Sequence, residues 1–448
     1  MPDKEIKLNE EELVARDVAE ALDKYDKESA FRNRLPKIPE TVIGVILAAF
    51  SLFQLYASVF TIQERQLRPI HLMFALALVF LLYPAKRSLR RDKIPWYDWL
   101  LAAVVVAATL YIPANLDYLV KNIGNYGVLE IAVGIAGVVL LMEACRRVVG
   151  LPILIIVLLF LAYSVFGHWI PGLLGHVRFN LRQVTTHMYF TLEGVFGTPL
   201  GVCATYIFLF ILFGAFLEKT GVGKLFIDLA NAIAGKRIGG PAKVAVIASA
   251  LEGTVSGSSV ANTVGSGSFT IPAMKKLGYK PEFAGAVEAA ASTGGQIMPP
   301  IMGAAAFLMA ENMGVSYSLV VKSAIIPAIL YFTGILISVH HEARKLGLRG
   351  MTDEEMPKIV PILKERGHLL MPLAFMIYML SSNSTPAYAA LSAILTALMA
   401  HSLGWFSIVP LVTMIAGKEF FALTFTRYAP ISIGVWLVLF LVLHKLDT

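Results

Sequence analysis

Apolar runs of about twenty residues recur along this chain, and they restrict its fold more than any motif does. One such run crosses a ~30 Å hydrocarbon core as a single α-helix. Spans are read at about 41–60, 69–85, 97–114, 127–145 and 150–170. Others follow at about 199–218, 316–339, 368–381 and 386–403, with one or two more within 405–444 around Lys418 and Glu419. The expected fold is an all-α integral membrane protein of about ten transmembrane helices.

Composition agrees. Of 448 residues, 57% are hydrophobic and 15% are charged, with a mean hydropathy of +0.69; an average soluble domain has roughly 25% charged residues. These values exclude a disordered chain and a small disulfide scaffold. They argue against a soluble enzyme, whose cores could not hide so much apolar surface. Cys145 and Cys203 lie inside apolar segments without a CxxC neighbour, which argues against a disulfide framework or a zinc site.

The net charge of +7 is distributed between apolar runs, with no basic stripe for nucleic acid, so the positive-inside rule is the better reading. Lys86, Arg87, Arg90, Arg91 and Lys93 mark the loop after the second span as cytoplasmic, which places the N-terminus inside. The loop at 115–126 then faces out, Arg146 and Arg147 return to the inside, and 168–201 lies outside. Trp96, Trp99, Tyr111, Tyr118 and Trp169 fall at the expected interfaces. Residues 1–38 are polar and of mixed sign, without the apolar core of a signal peptide. They read as a solvated cytoplasmic arm, with a docking helix over 9–30 as the other choice.

Two stretches read as interfacial amphipathic helices, 171–198 on the outer face and 222–235 on the inner face. From Gly239 the texture changes. Segment 243–271 is apolar but dense in Gly, Ser and Thr around 253–268, and Lys275, Lys276 and Lys280 follow it. A segment with both ends on the cytoplasmic side is no straight span; it is a re-entrant hairpin of two half-helices. The next segment, 281–310, is interrupted by Gly294-Gly295 and Pro299-Pro300. Proline lacks the backbone donor and clashes with the preceding turn, so a broken helix is expected there. The loop at 340–367, rich in Lys, Arg and His, is cytoplasmic.

These two interruptions carry the candidate chemistry. Unwound backbone at membrane depth is tolerated where it lines a wet cavity or holds an ion. Free carbonyls with Ser, Thr and Asn oxygens suit a small hard cation such as Na⁺. Nearby half-helix N-termini favour a carboxylate. The plainer reading is that Gly and Ser only let helices pack closely. The candidate cavity residues are Ser256, Ser259, Thr263, Ser266, Thr293, Pro299 and Pro300. Glu252 and Glu288 are acids at membrane depth, functional candidates by default; pairing with a Lys or capping a half-helix is the alternative. Glu143 is expected to pair with Arg146 and Arg147, and His340-His341 to snorkel from the end of a span.

The run from Gly240 to Glu311, with GSSVANT, IPAMKKLGY, FAGAVEAAASTGGQIMPP and AAAFLMAE, resembles the large membrane subunit of tripartite ATP-independent periplasmic (TRAP) transporters. With five leading spans in the same chain, it looks like the fused form, in which the small subunit's helices and a connecting helix precede the large subunit. The resemblance implies a secondary transporter of the cytoplasmic (inner) membrane that takes up organic acids, often carboxylates, on a Na⁺ gradient. A periplasmic solute-binding protein would deliver the substrate. It further implies a first hairpin tip at Ser256–Thr263 and a first broken helix at Thr293–Pro300. The first sodium site would use Ser258, Asn262 and the Gly294-Gly295 backbone. On this reading 1–38 is the cytoplasmic arm and 39–170 holds the small-subunit-like helices. Residues 171–380 hold the first repeat, with the hairpin at 240–280 and the broken helix at 281–310, and 381–448 holds atypical C-terminal helices. A second hairpin and a second broken helix are not found after 380, so the expectation is a chain lacking its C-terminal repeat, with a second chain able to supply it.

Two other classes compete with this reading. A channel or a non-transporting membrane subunit fits the shortened C-terminal half. An intramembrane serine hydrolase would use Ser258 or Ser259 but needs a base at depth, and His168, His176, His187, His340 and His341 map to interfaces or loops. There is no GxxxxGK[ST] for ATP.

Overall fold

The computed structural model describes residues 31–32, 35–86, 92–351, 356–382 and 384–407. Among them every regular element is helical. The expected helix at 9–30, the basic residues Arg87, Arg90 and Arg91, and any span beyond residue 407 lie outside the described residues. Among the described residues, seven helices are long and apolar enough to cross a membrane, with mean hydropathies between 1.4 and 2.4. The chain is a multi-pass membrane protein, and it divides into two compact units.

The first unit comprises the described residues up to 57 together with 61–204. Its α-helices are α1 (Lys37–Val59), α2 (Glu64–Leu82), α3 (Trp96–Ala114), α4 (Leu116–Lys121), α5 (Val128–Val148), α6 (Leu151–Phe166), α7 (Leu181–Phe190) and α8 (Thr198–Val202). The five long ones lie where the apolar runs predict. The amphipathic stretch at 171–198 is a correction: only its middle, α7, is an α-helix, opened by an Asn180–Gln183 capping box. Pro171, Gly172 and Gly175 keep the preceding segment out of a continuous helix. Small residues seat α7 on α5, since a Cβ on Gly137 would collide with the Tyr189 ring and one on Gly134 with Thr185.

One end of this unit is tied by buried charge. Asp98, in the first turn of α3, accepts from Arg32 Nη2 at 2.5 Å and from Arg147 Nη1 at 2.8 Å. Arg147 and Arg146 both reach Glu143, at 2.8 and 2.7 Å, as expected. Arg32 corrects the solvated-arm reading: it is buried, and Nη1 also donates to the carbonyls of Phe80 and Leu81.

The second unit comprises Ser58–Phe60 and the described residues from 205 onward. It holds α9 (Phe208–Lys219), α10 (Val222–Ala234), α11 (Gly240–Ser256), α12 (Ser259–Gly265), α13 (Gly267–Leu277), α14 (Pro281–Gly294), α15 (Ala304–Met313), α16 (Tyr317–Lys345), α17 (Ile359–Arg366), α18 (Met371–Ser381) and α19 (Pro386–Leu403). A π-helical stretch, Cys203–Ile207, leads into α9. Proline opens α11 and α14, where a first-turn N–H would be unpaired anyway. α11 packs against α10, α14 and α16 through fully buried Ala242, Ala245, Val246 and Ala248. α16 runs on through His340 and His341, so the loop expected from 340 begins later. His340 does not simply snorkel: its Nδ1 meets Lys243 Nζ at 3.0 Å.

Candidate functional site

The hairpin is present, with a two-part return arm. α11 ends at Gly257, whose φ of +58° suits a residue without a Cβ. Ser258 caps α12 by accepting from Ala261 N at 3.3 Å. The return arm is divided at Ser266, between α12 and α13. Pro272 inside α13 removes one backbone donor from that arm.

The broken helix is present too. α14 stops at Gly294, a 3-10 turn covers Gly295–Ile297, and helix resumes only at Ala304. The Pro299-Pro300 bond is cis. The loop is closed by Gly303 N donating to Gln296 O at 2.7 Å, and Tyr317 Oη donates to the carbonyls of Pro300, at 2.9 Å, and Ile301.

The hairpin tip sits on this break. Gly257 faces the Met302 carbonyl so closely that a Cβ there would overlap it. Gly253 of α11 faces the Gly295 Cα, and Asn262 of α12 lies against Gly295 through Nδ2. Asn262 is 2% exposed, accepts from Ser256 Oγ and reaches the Ser249 carbonyl at 3.5 Å. At the rim, the exposed Gln296 donates from Nε2 to Ser259 Oγ at 3.2 Å.

Of the residues singled out from sequence, Ser256, Ser258, Ser259, Asn262 and Gly295 are thus gathered at one junction. Gly294 faces the other way, against the rings of Tyr331 and Phe332. Thr263 and Thr293 turn their hydroxyls back onto their own helices, to Ser259 O at 2.8 Å and Ala289 O at 2.7 Å. Glu252 is partly buried, with its carboxylate beside Gly223 and Gly265. Glu288 is fully buried and takes neither expected partner, a Lys or a helix end. It lies mid-helix in α14 and accepts four hydroxyls: Ser266 at 2.7 Å, Ser249 at 3.0 Å, Ser292 at 3.1 Å, and Thr270. Ser249, Thr270 and Ser292 were not singled out from sequence. Their signal is present nonetheless, because Ser266 and Thr270, like Glu288 and Ser292, are spaced i,i+4 on one helix face.

A junction of hairpin tip and broken helix, made of Gly, Ser, Asn and Pro, resembles the discontinuous helices of transporters. Comparison with known proteins decides the family. Residues 136–418 match the family described as "Tripartite ATP-independent periplasmic transporter, DctM component". The chain belongs to this family. That makes it kin to transporter permeases rather than to enzymes. Over 135 residues it is 34% identical to the C4-dicarboxylate TRAP transporter large permease protein DctM of Vibrio cholerae, covering 30% of this chain and 29% of that one. It is 42% identical over 91 residues to the DctM protein of Rhodobacter capsulatus, covering 20% and 21%. It is 26% identical over 182 residues to the sialic acid TRAP transporter large permease protein SiaM of Vibrio cholerae, covering 40% and 42%. The chain thus spans well under half the length of the curated relatives it matches.

Proposed function

We propose that this TRAP-family chain is a membrane permease component of a Na⁺-coupled secondary uptake system for organic acids. A periplasmic solute-binding protein hands it the substrate, and the gradient of the coupling ion drives import. The relatives named for C4-dicarboxylates and sialic acid support carboxylates as the substrate class. Residues 39–170 take the place of the small subunit, 171–380 form the first repeat of the large subunit, and the N-terminus is cytoplasmic in the inner membrane.

The observation that carries this reading is buried Asn262 packed beside the Gly253–Gly295 contact, where hairpin tip and broken helix meet. Asn262 turns Nδ2 to Gly295 and Oδ1 to Ser256 Oγ, and that amide oxygen, with the hydroxyls and the 3-10 and unwound carbonyls beside it, is a hard donor set of the kind Na⁺ takes. Ser258, Asn262 and the backbone of Gly294-Gly295 form the cation site on this account, although the Cα face of Gly294 is turned to Tyr331 and Phe332. Ser256, Ser259, Thr263, Thr293, Pro299 and Pro300 border the substrate path. Exposed Gln296, beside Ser259, joins them.

The test is uptake of radiolabelled organic acids into proteoliposomes with a purified binding protein and an imposed Na⁺ gradient. Uptake that follows the gradient supports the reading. Uptake indifferent to Na⁺ removes the ion coupling, and ion currents without solute uptake favour a channel.

A further inference from the structure

The junction offers neutral oxygens, and a monovalent cation held by them at membrane depth is stabilised further by a buried counter-charge nearby. Glu288 is placed to supply it. Its carboxylate is fully buried, and among the described residues its partners are four hydroxyls and no cation. A buried carboxylate is tolerated when hydrogen-bonded, and hydroxyls provide that without neutralising its charge.

The connection to the junction is short. Ser266 Oγ stands 2.7 Å from Glu288 Oε1 and 2.8 Å from the carbonyl of Asn262. Its single proton serves one of these acceptors at a time. An ionised Glu288 draws that proton and leaves an Asn262 carbonyl lone pair without it. Ser249 makes a second bridge, since its hydroxyl bonds Glu288 Oε1 at 3.0 Å while its carbonyl faces Asn262 Nδ2 at 3.5 Å. The carboxylate therefore touches both hairpin arms and α14, the elements that converge on Asn262.

We infer that Glu288 is a positioning residue that provides the buried counter-charge for a cation at the Asn262–Gly295 junction. The inference rests on the cation-site reading above. Glu288 does not touch the ion; it acts through Ser266 and Ser249.

The test is thermal stabilisation of the purified full chain in detergent, titrated with NaCl at constant ionic strength against choline chloride. Wild type is expected to show a saturable, Na⁺-specific rise in Tm. Glu288→Gln keeps the size and hydrogen-bonding capacity but removes the charge. Its Na⁺ midpoint should rise at least tenfold, equivalent to about 1.4 kcal/mol. Glu288→Asp, with charge kept on a shorter arm, should stay within about threefold of wild type, and a new charge in Glu288→Gln/Asn262→Asp should restore much of the loss. A purely structural role predicts the reverse order, with Gln tolerated and Asp not, and that result overturns the inference while leaving the cation site standing. If Glu288→Gln does not fold, a tenfold midpoint shift in Glu288→Asp overturns it equally. No Na⁺-specific stabilisation in wild type overturns the cation site and this inference together.

Discussion

Gly253 of α11 and Gly295 of the broken helix meet backbone to backbone: a Cβ on Gly295 would stand 3.0 Å from the Gly253 Cα and overlap Asn262 Nδ2. The Gly253 neighbour is backbone, and the Asn262 amide is held by Ser256 Oγ and the Ser249 carbonyl, so neither yields easily. Gly295→Ala is therefore expected to cost about 1–3 kcal/mol through overpacking, and to lower Tm and transport together. Gly285→Ala is the control, because a Cβ there meets nothing within 4 Å. It should leave transport unchanged and hold or slightly raise Tm, since Ala favours the helix interior over Gly.

Asp98 holds two arginines in place within the first unit, and all three side chains are at most 1% exposed. Asp98→Ala leaves Arg32 buried without the carboxylate it donates to and Arg147 with Glu143 alone. The expected loss is about 3–5 kcal/mol, read as lower Tm or poor recovery of folded protein. An unchanged Tm would remove the network from the account.

Tyr317 ties α16 to the broken-helix loop by donating to the carbonyls of Pro300 and Ile301. Tyr317→Phe keeps the ring stacked on Phe307, whose centroid is 4.2 Å away, and removes only the hydroxyl. It should cost about 1 kcal/mol. Hydrogen exchange at Gly303, whose N–H closes this loop onto Gln296, should quicken while α11 keeps its protection.

His176, in the loop between α6 and α7, has a carbonyl at each ring nitrogen: Tyr163 O at 2.9 Å from Nε2 and Val177 O at 2.6 Å from Nδ1. Only the imidazolium donates from both. The bond to Tyr163, then that to Val177, raise its pKa above the ordinary 6.5. A raised folded-state pKa stabilises the protein fully below pH 6.5, and the effect fades as pH climbs through the raised value. The Tm difference between wild type and His176→Ala should therefore be largest in mild acid and shrink in alkali. A difference that grows with pH would contradict the assignment.

The spans of the first unit were legible because a membrane helix must be apolar for its whole length, as α1 and α6 are. The hairpin turn and the break were legible because Gly257, Gly294-Gly295 and Pro299-Pro300 interrupt that pattern where backbone pairing has to fail. Two things were not. Arg32 sits among charged residues and reads as solvated, yet its burial depends on Asp98, 66 positions away. The hydroxyl ring of Glu288 joins Ser249 and Thr270 across 39 and 18 positions, and such tertiary pairing leaves only a faint i,i+4 trace. Similarly, 171–198 carries amphipathic side chains, but its Pro and Gly residues outweigh them and confine the helix to α7.

The central claim is a Na⁺ site where Asn262 meets Gly295. Equilibrium binding of radioactive Na⁺ to the purified chain tests it most directly. The account predicts saturable binding, displaced by unlabelled Na⁺ but not by choline, and lost in Asn262→Ala while Gly285→Ala retains it. Absent saturable binding, or binding that survives Asn262→Ala unchanged, would contradict it.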